Sequence, residues 1–202
     1  VSEQVKKARR RGQALLDAIY QAVLAELAEV GFRRLTMEGI AARAGTGRMP
    51  LYRRWDTPEA LVLDALAAAL AATRAPVDTG DVREDLLAHF RTMTGQIMAG
   101  DLGAALGAVM GERLHHPELV ATVRDRLLRP HLDAIEASLR RAVARGRLAE
   151  GVVSAEVCAA GPALITVHHL INGTPPGEAE LAAIVDNLVL PALGMTSARS
   201  SG

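Results

Sequence analysis

Leu15, Ile19, Ala22, Val23, Leu27 and Val30 recur at steps of three and four residues. Only a helix gathers that spacing onto one face, so residues 12–30 are predicted to form an amphipathic helix with one apolar stripe. Alanine and leucine dominate the rest of the chain as well; half of all residues are hydrophobic and only 2 % are aromatic. A pleated surface favours β-branched and aromatic side chains, so this alphabet points to an all-α protein. No convincing strand or repeat interrupts the pattern. The 202 residues suffice for one domain of ordinary size or two small ones.

Start and stop signals divide the chain. Gly31 ends the first helix through a left-handed conformation. Thr36 is the expected N-cap of a short second helix over 37–44, with Ile40 and Ala41 inward and Gly45 closing it. A third short helix is predicted over 47–55. Thr57-Pro58-Glu59 combines a capping hydroxyl, a first-turn proline and a first-turn acid, and opens a fourth helix to about residue 74. Residues 75–80, Ala-Pro-Val-Asp-Thr-Gly, form the clearest break. Further helices are predicted near 81–99, 102–115, 117–128, 130–146, 154–172 and 178–193. Asp81 with Glu84 resembles a capping box. Pro130, Pro162 and Pro191 fall inside helical pattern and are expected to kink or interrupt it. Residues 172–177 read as a second loop, and 196–202 as a small, polar, disordered tail.

Several function classes are excluded at this level. With 23 % charged residues beside the apolar half, general disorder is not expected. The single cysteine, Cys158, permits no internal disulfide or cysteine-based zinc cluster, and no nucleophile signature surrounds it. The longest apolar run, residues 65–72, is far short of a membrane span, and no secretory leader is visible, so a soluble cytoplasmic protein without membrane partners is expected. His115-His116 and His168-His169 lack metal-ligand spacing, so no metal is assigned; the first pair reads as a helix boundary at Pro117. No phosphate-binding loop, dinucleotide fingerprint or nucleophile elbow appears, so neither an enzyme nor a cofactor is expected.

The zero net charge is uneven. Residues 1–59 carry 11 Lys and Arg against 7 Asp and Glu, and the remainder 12 against 16. Five of the cations crowd into Lys6, Lys7, Arg9, Arg10 and Arg11. A basic end and an acidic remainder fit a chain whose N-terminal end meets polyphosphate. Residues 36–61, TMEGIAARAGTGRMPLYRRWDTPEAL, supply the means: two short helices about a glycine turn make a helix-turn-helix, whose second helix can enter a DNA major groove. Arg48, Tyr52, Arg53 and Arg54 offer donors to phosphates or guanine edges, while Leu51 and Trp55, one turn apart, lock that helix inward.

This segment resembles the DNA-binding domain of TetR-family transcriptional regulators. Thr36, Ile40, Ala41, Ala44, Gly45, Leu51, Tyr52 and Leu61 match the family signature in order, and Arg53-Arg54-Trp55 stands where other members carry Tyr-Lys/His-Phe. Glu29-Val30-Gly31-Phe32 is similar to the exit of the family's first helix. The resemblance implies a homeodomain-like three-helix head over 1–59, with its basic arm, and a helical ligand-binding and dimerisation domain over 60–195. It implies that Thr36 and Tyr52 meet phosphates and that Arg48 and Arg53 reach bases, with Gly47, Pro50 and Arg54 completing the DNA face. Pro50 replaces the usual threonine and Pro58 a common lysine; these departures motivate an alternative, a small-molecule binding or sequestering protein with a weakened DNA head.

Phe90, Met93, Met98, Leu106, Val109 and Met110 form an apolar stripe on the middle helices, core first by periodicity. The family resemblance makes them candidate lining for an effector cavity, with Arg113 and His131 as polar groups orienting a small molecule. The last two helices are apolar on two faces. Leu164, Val167, His168 and Ile171, with Leu181, Val185 and Leu188, are the candidate homodimer contacts. Dimerisation sets two recognition helices against successive major grooves of a pseudo-palindromic operator in double-stranded DNA. The expected activity is repression, relieved when a ligand displaces the fourth helix and spreads the two heads.

Overall fold

The computed structural model describes residues 2–73 and 78–195. Among them every regular element is helical, as the composition requires. The order is α1 (Ser2–Val30), α2 (Met37–Arg43), α3 (Arg48–Tyr52), α4 (Pro58–Ala71), α5 (Val82–Thr92), α6 (Gly100–Met110), α7 (Pro117–Thr122), α8 (Arg129–Ala144), α9 (Ala155–Asn172), α10 (Glu178–Ile184) and α11 (Leu190–Ala192). α1 begins ten residues before the expected start, so the basic run of residues 6–11 belongs to a helix. Lysine, arginine and glutamine are good helix formers and extend an established helix at little cost. The expected tail, 196–202, and residues 75–77 of the expected break lie outside the described residues.

The predicted start signals are hydrogen-bonded. Thr36 Oγ1 accepts from the Gly39 N–H at 3.0 Å, Thr57 Oγ1 from Ala60 at 3.2 Å and Asp81 Oδ1 from Glu84 at 3.0 Å. Each relieves one of the amides that a helix start leaves unpaired. Pro58 occupies the first turn of α4, where a missing N–H costs nothing. Pro130 and Pro191 likewise fall in the first turns of α8 and α11, each preceded by a π-helical turn, Val123–Leu128 and Val185–Val189. Those wide turns let the chain pass a residue that cannot donate to the turn before it. Pro162, expected to interrupt, lies inside an unbroken α9.

The chain divides into two compact units. The first takes in residues up to 72 together with Gly100–Leu127; the second holds residues 73–99 and those from 128 onward. In the first unit α1 packs against α2, α4 and α6. Ile19, Ala22, Val23 and Leu27 form the buried stripe, while Leu15 is 39 % exposed.

In the second unit α5, α8, α9 and α10 surround a core that includes Leu86, Leu87, Phe90, Leu139, Ile165, Leu181 and Val185. Gly161 makes the close approach possible there: a Cβ on it would lie 2.1 Å from Phe90 Cζ. The buried carboxylate of Asp85 accepts both the N–H and the hydroxyl of Thr79, each at 2.7 Å, and so ties down the chain entering α5. Arg83 grips Asp186 through two bonds, Nε at 2.7 Å and Nη2 at 2.9 Å, linking α5 to the π-helical turn that follows α10.

Candidate nucleic-acid interface

The turn between α2 and α3 is built from backbone bonds. Gly45 takes φ 65°, its N–H reaches the Ala42 carbonyl at 3.2 Å, and the Thr46 N–H reaches Ala41 at 3.0 Å. This crossed pair is a Schellman ending, which needs the left-handed residue that glycine supplies without strain. Gly47 then caps α3 in extended backbone. Pro50 is the third residue of α3, inside the turn whose amides have no helical acceptor, so the departure from threonine leaves the helix intact.

α3 spans five residues, shorter than the expected 47–55, although its last carbonyls continue one more turn. Arg53 donates to Met49 at 3.0 Å and Trp55 to Leu51 at 2.9 Å. Leu51 is fully buried and Trp55 nearly so. The indole Nε1 donates to Asp64 Oδ2 at 2.9 Å, and the ring tilts against Tyr20 with centroids 6.1 Å apart. These contacts fasten α3 to α4 and α1. At 100° per residue, Met49 and Arg53 lie nearly opposite Leu51, one turn apart. Met49 is 76 % exposed and Tyr52 45 %, and both Arg53 and Arg54 are exposed.

The three expected arginine donors differ in what already holds them. Arg48 Nη1 donates to Glu38 Oε1 at 3.0 Å, and this bond holds the Glu38 carboxyl below the usual range. The Arg54 guanidinium lies over the Trp55 ring, 5.1 Å from its centroid. The Arg53 side chain has no ion pair, hydrogen bond or ring contact among the described residues, only its backbone N–H being used within the helix, and its guanidinium is open to a ligand. Nearby, Arg43 ties α2 back to α1, donating to Glu26 at 2.7 Å and also pairing with Glu29. The sequence reasoning missed Met49. An apolar side chain one turn before Arg53 on the outward face was the available signal, and such a group suits a thymine methyl.

The other candidate residues are divided between the two units. In the second unit Phe90 is wholly buried, with Met93 and Met98 partly buried against the same core, and His131 Nε2 lies 2.8 Å from Thr73 Oγ1. In the first, Leu106 and Val109 are buried, Met110 is half-buried and Arg113 exposed. Two open grooves of about 470 Å³ are lined by other residues: one runs beside Glu59, Leu63, His115, His116 and Leu119, another beside Arg140, Val143 and Glu150.

On α9, Leu164, Val167 and Ile171 are exposed, as is Leu188 after α10, and His168 is half-buried. Leu181 and Val185 correct the expected dimer set. Both are core residues, 2 % and 0 % exposed, because that face of α10 packs inside its own unit. Leu170, next to Ile171 on α9, is 81 % exposed.

The first histidine pair has local partners. His116 sets its ring edge-on to Phe32 at 4.9 Å, and His115 Nδ1 lies 3.5 Å from Glu112. Among the described residues no group of three or more His, Cys, Asp or Glu side chains could hold a metal ion. Burial pushes the Cys158 thiol upward, which favours the unreactive protonated form. Among the described residues no helix is long and apolar enough to cross a membrane.

Known proteins share both parts of this architecture. Residues 19–65 match the model described as "Bacterial regulatory proteins, tetR family", and residues 76–188 the "Tetracyclin repressor-like, C-terminal domain". The chain is 30 % identical over 182 residues to the DNA-binding transcriptional repressor TetR of Mycobacteroides abscessus, covering 89 % of this chain and 94 % of that one. It is 29 % identical over 170 residues to the HTH-type transcriptional regulator Rv1556 of Mycobacterium tuberculosis, covering 83 % and 82 %. A crystal structure of a TetR transcription regulator from Haloarcula marismortui superposes with a TM-score of 0.69 at 17 % identity, over 89 % of this chain and 96 % of that one, a likeness of fold.

Proposed function

The chain belongs to the TetR family of helix-turn-helix transcriptional regulators, and from that premise we propose that it is a homodimeric repressor of a pseudo-palindromic operator, released by a small molecule. One observation carries the reading. α3 is bolted down by Leu51 and Trp55 while Met49 and the uncommitted Arg53 face outward from it. A guanidinium with all its donors free can take guanine O6 and N7 together, which discriminates by about 1–3 kcal/mol against other bases. Tyr52 and Arg54 flank it and serve phosphates. One lone pair of the Thr36 hydroxyl accepts from the Gly39 amide, and its proton is left for a phosphate at the start of α2.

The exposed apolar face of α9, Leu164, Val167 and Ile171 with neighbouring Leu170, supports pairing with a second copy, since a soluble chain gains by covering so continuous a patch. The effector is assigned to the region 60–195, by family likeness. Fluorescence anisotropy with a duplex selected by the protein from a random pool tests the central reading. Arg53→Ala is expected to weaken binding to the selected duplex by about tenfold or more, as loss of one bidentate base contact requires. Equal affinity of the two proteins for that duplex would defeat the proposal.

A further inference from the structure

Glu38 is an odd residue to find beside a surface that meets polyphosphate. It lies in the first turn of α2, ten residues before its partner, and its carboxylate accepts from Arg48 Nη1 at 3.0 Å across the turn. Both side chains are more than half exposed, 53 % for Glu38 and 65 % for Arg48, so the pair is a solvated one that neither burial nor packing demands. The neighbouring acids have a structural use, because Glu26 and Glu29 hold Arg43 and with it α2. Glu38, an acid in the first turn of α2, reaches beyond its own helix to Arg48, a side chain of the DNA-facing helix.

On the reading that α3 enters the groove, we propose that Glu38 is a specificity-determining residue. It cancels the charge of Arg48 and keeps that guanidinium from acting as a sequence-blind phosphate anchor. Sequence-independent binding grows with each phosphate that a cation neutralises, by release of a condensed counterion. A cation paired with a carboxylate contributes no net charge to that term and brings a like charge toward the backbone. The remaining donors of Arg48, pointed by the bond to Glu38, are used only where a base edge or phosphate meets them in register. Glu38 therefore lowers affinity for every duplex, and lowers it most for those that lack the operator.

The test compares wild type, Glu38→Gln, Arg48→Ala, the double variant and Glu118→Gln, an equal change of charge on an exposed acid of α7. Each is titrated in anisotropy against the duplex selected by wild type and against a shuffled duplex, across a salt series from about 50 to 200 mM. Glu38→Gln is expected to bind the shuffled duplex about threefold more tightly at the low-salt end. Its salt slope should steepen by about 0.9, the value of one counterion, with a smaller change on the selected duplex. The gain should vanish in the Arg48→Ala background and be absent from Glu118→Gln; unchanged melting temperatures exclude a merely structural effect. An unaltered preference and slope in Glu38→Gln, a matching gain in Glu118→Gln, or a gain that survives Arg48→Ala would each overturn the proposal. The reading beneath it is judged separately: if wild type selects no duplex, or Arg53→Ala binds the selected one as well as wild type, α3 is not the DNA face and the proposal falls with it.

Discussion

Replacing Gly161 by alanine sets two effects against each other inside α9. In a helix interior alanine is better than glycine by about 1 kcal/mol, so an open site would gain stability. Gly161 is not an open site. A Cβ placed on it would lie 2.1 Å from Phe90 Cζ and 2.7 Å from Cε2, whereas carbon atoms rest comfortably at about 3.5–4.0 Å. Phe90 is 1 % exposed and walled in by the core between α5 and α9, so its ring has no solvent to swing into. Overpacking of this kind costs about 1–3 kcal/mol, and so deep an overlap belongs at the upper end. After the gain in propensity, the net loss should be about 1–2 kcal/mol. For a chain of this length that lowers Tm by roughly 2–8 °C, read by circular dichroism at a fixed protein concentration because any dimer ties Tm to concentration. Adding Phe90→Leu to Gly161→Ala should recover part of the loss, a coupling that two distant sites would not show. A Tm that stays level or rises in Gly161→Ala would mean that α5 and α9 do not meet there, and the packing of the second unit would have to be redrawn.

Other perturbations probe separate parts of the account. The Arg83 guanidinium holds the Asp186 carboxyl below the usual range, so the stability it contributes is full above the unfolded carboxylate value and is lost as pH falls through the folded one. Asp186→Asn should therefore lower Tm at neutral pH and flatten its decline below about pH 4; an equally steep acid decline would count against the pair. Burial lowers the His89 imidazole, which favours its neutral form in the folded chain. The unfolded chain then binds the extra proton, and stability should fall as pH drops from about 6.5; His89→Gln should remove that decline in a pH series of melting curves, and an unchanged profile would contradict it. Ile171→Glu places a charge in the apolar face of α9 at a position already 74 % exposed in the single chain. Sedimentation velocity should show monomers and anisotropy a loss of operator binding; an intact dimer would move the interface elsewhere.

Three helix starts and two stops were legible because they rest on local chemistry. Thr36, Thr57 and Asp81 announce helix starts by their own side chains, and Gly31 and Gly45 announce stops. The outward face of α3 was legible for the same reason, since Leu51 and Trp55 define the inward one. What stayed hidden depends on approach between distant segments. Arg48, Arg53 and Arg54 are alike in the sequence, and only the fold gives the first to Glu38, the third to Trp55 and leaves the second free. Likewise a helix that is oily all round does not say which side its own chain will cover, so Leu181 and Val185 were expected outside and lie inside. The early start of α1 was hidden because charged residues signal exposure more clearly than they signal conformation.

Protection of guanine N7 from methylation on the selected duplex tests the central claim most directly, because N7 is reached only from the major groove. The account predicts two protected clusters about one helical turn apart, ~34–36 Å, one for each recognition helix of a dimer. It further predicts that Arg53→Ala restores methylation at one guanine in each cluster while the flanking contacts persist. A single cluster, or protection indifferent to Arg53, would contradict it.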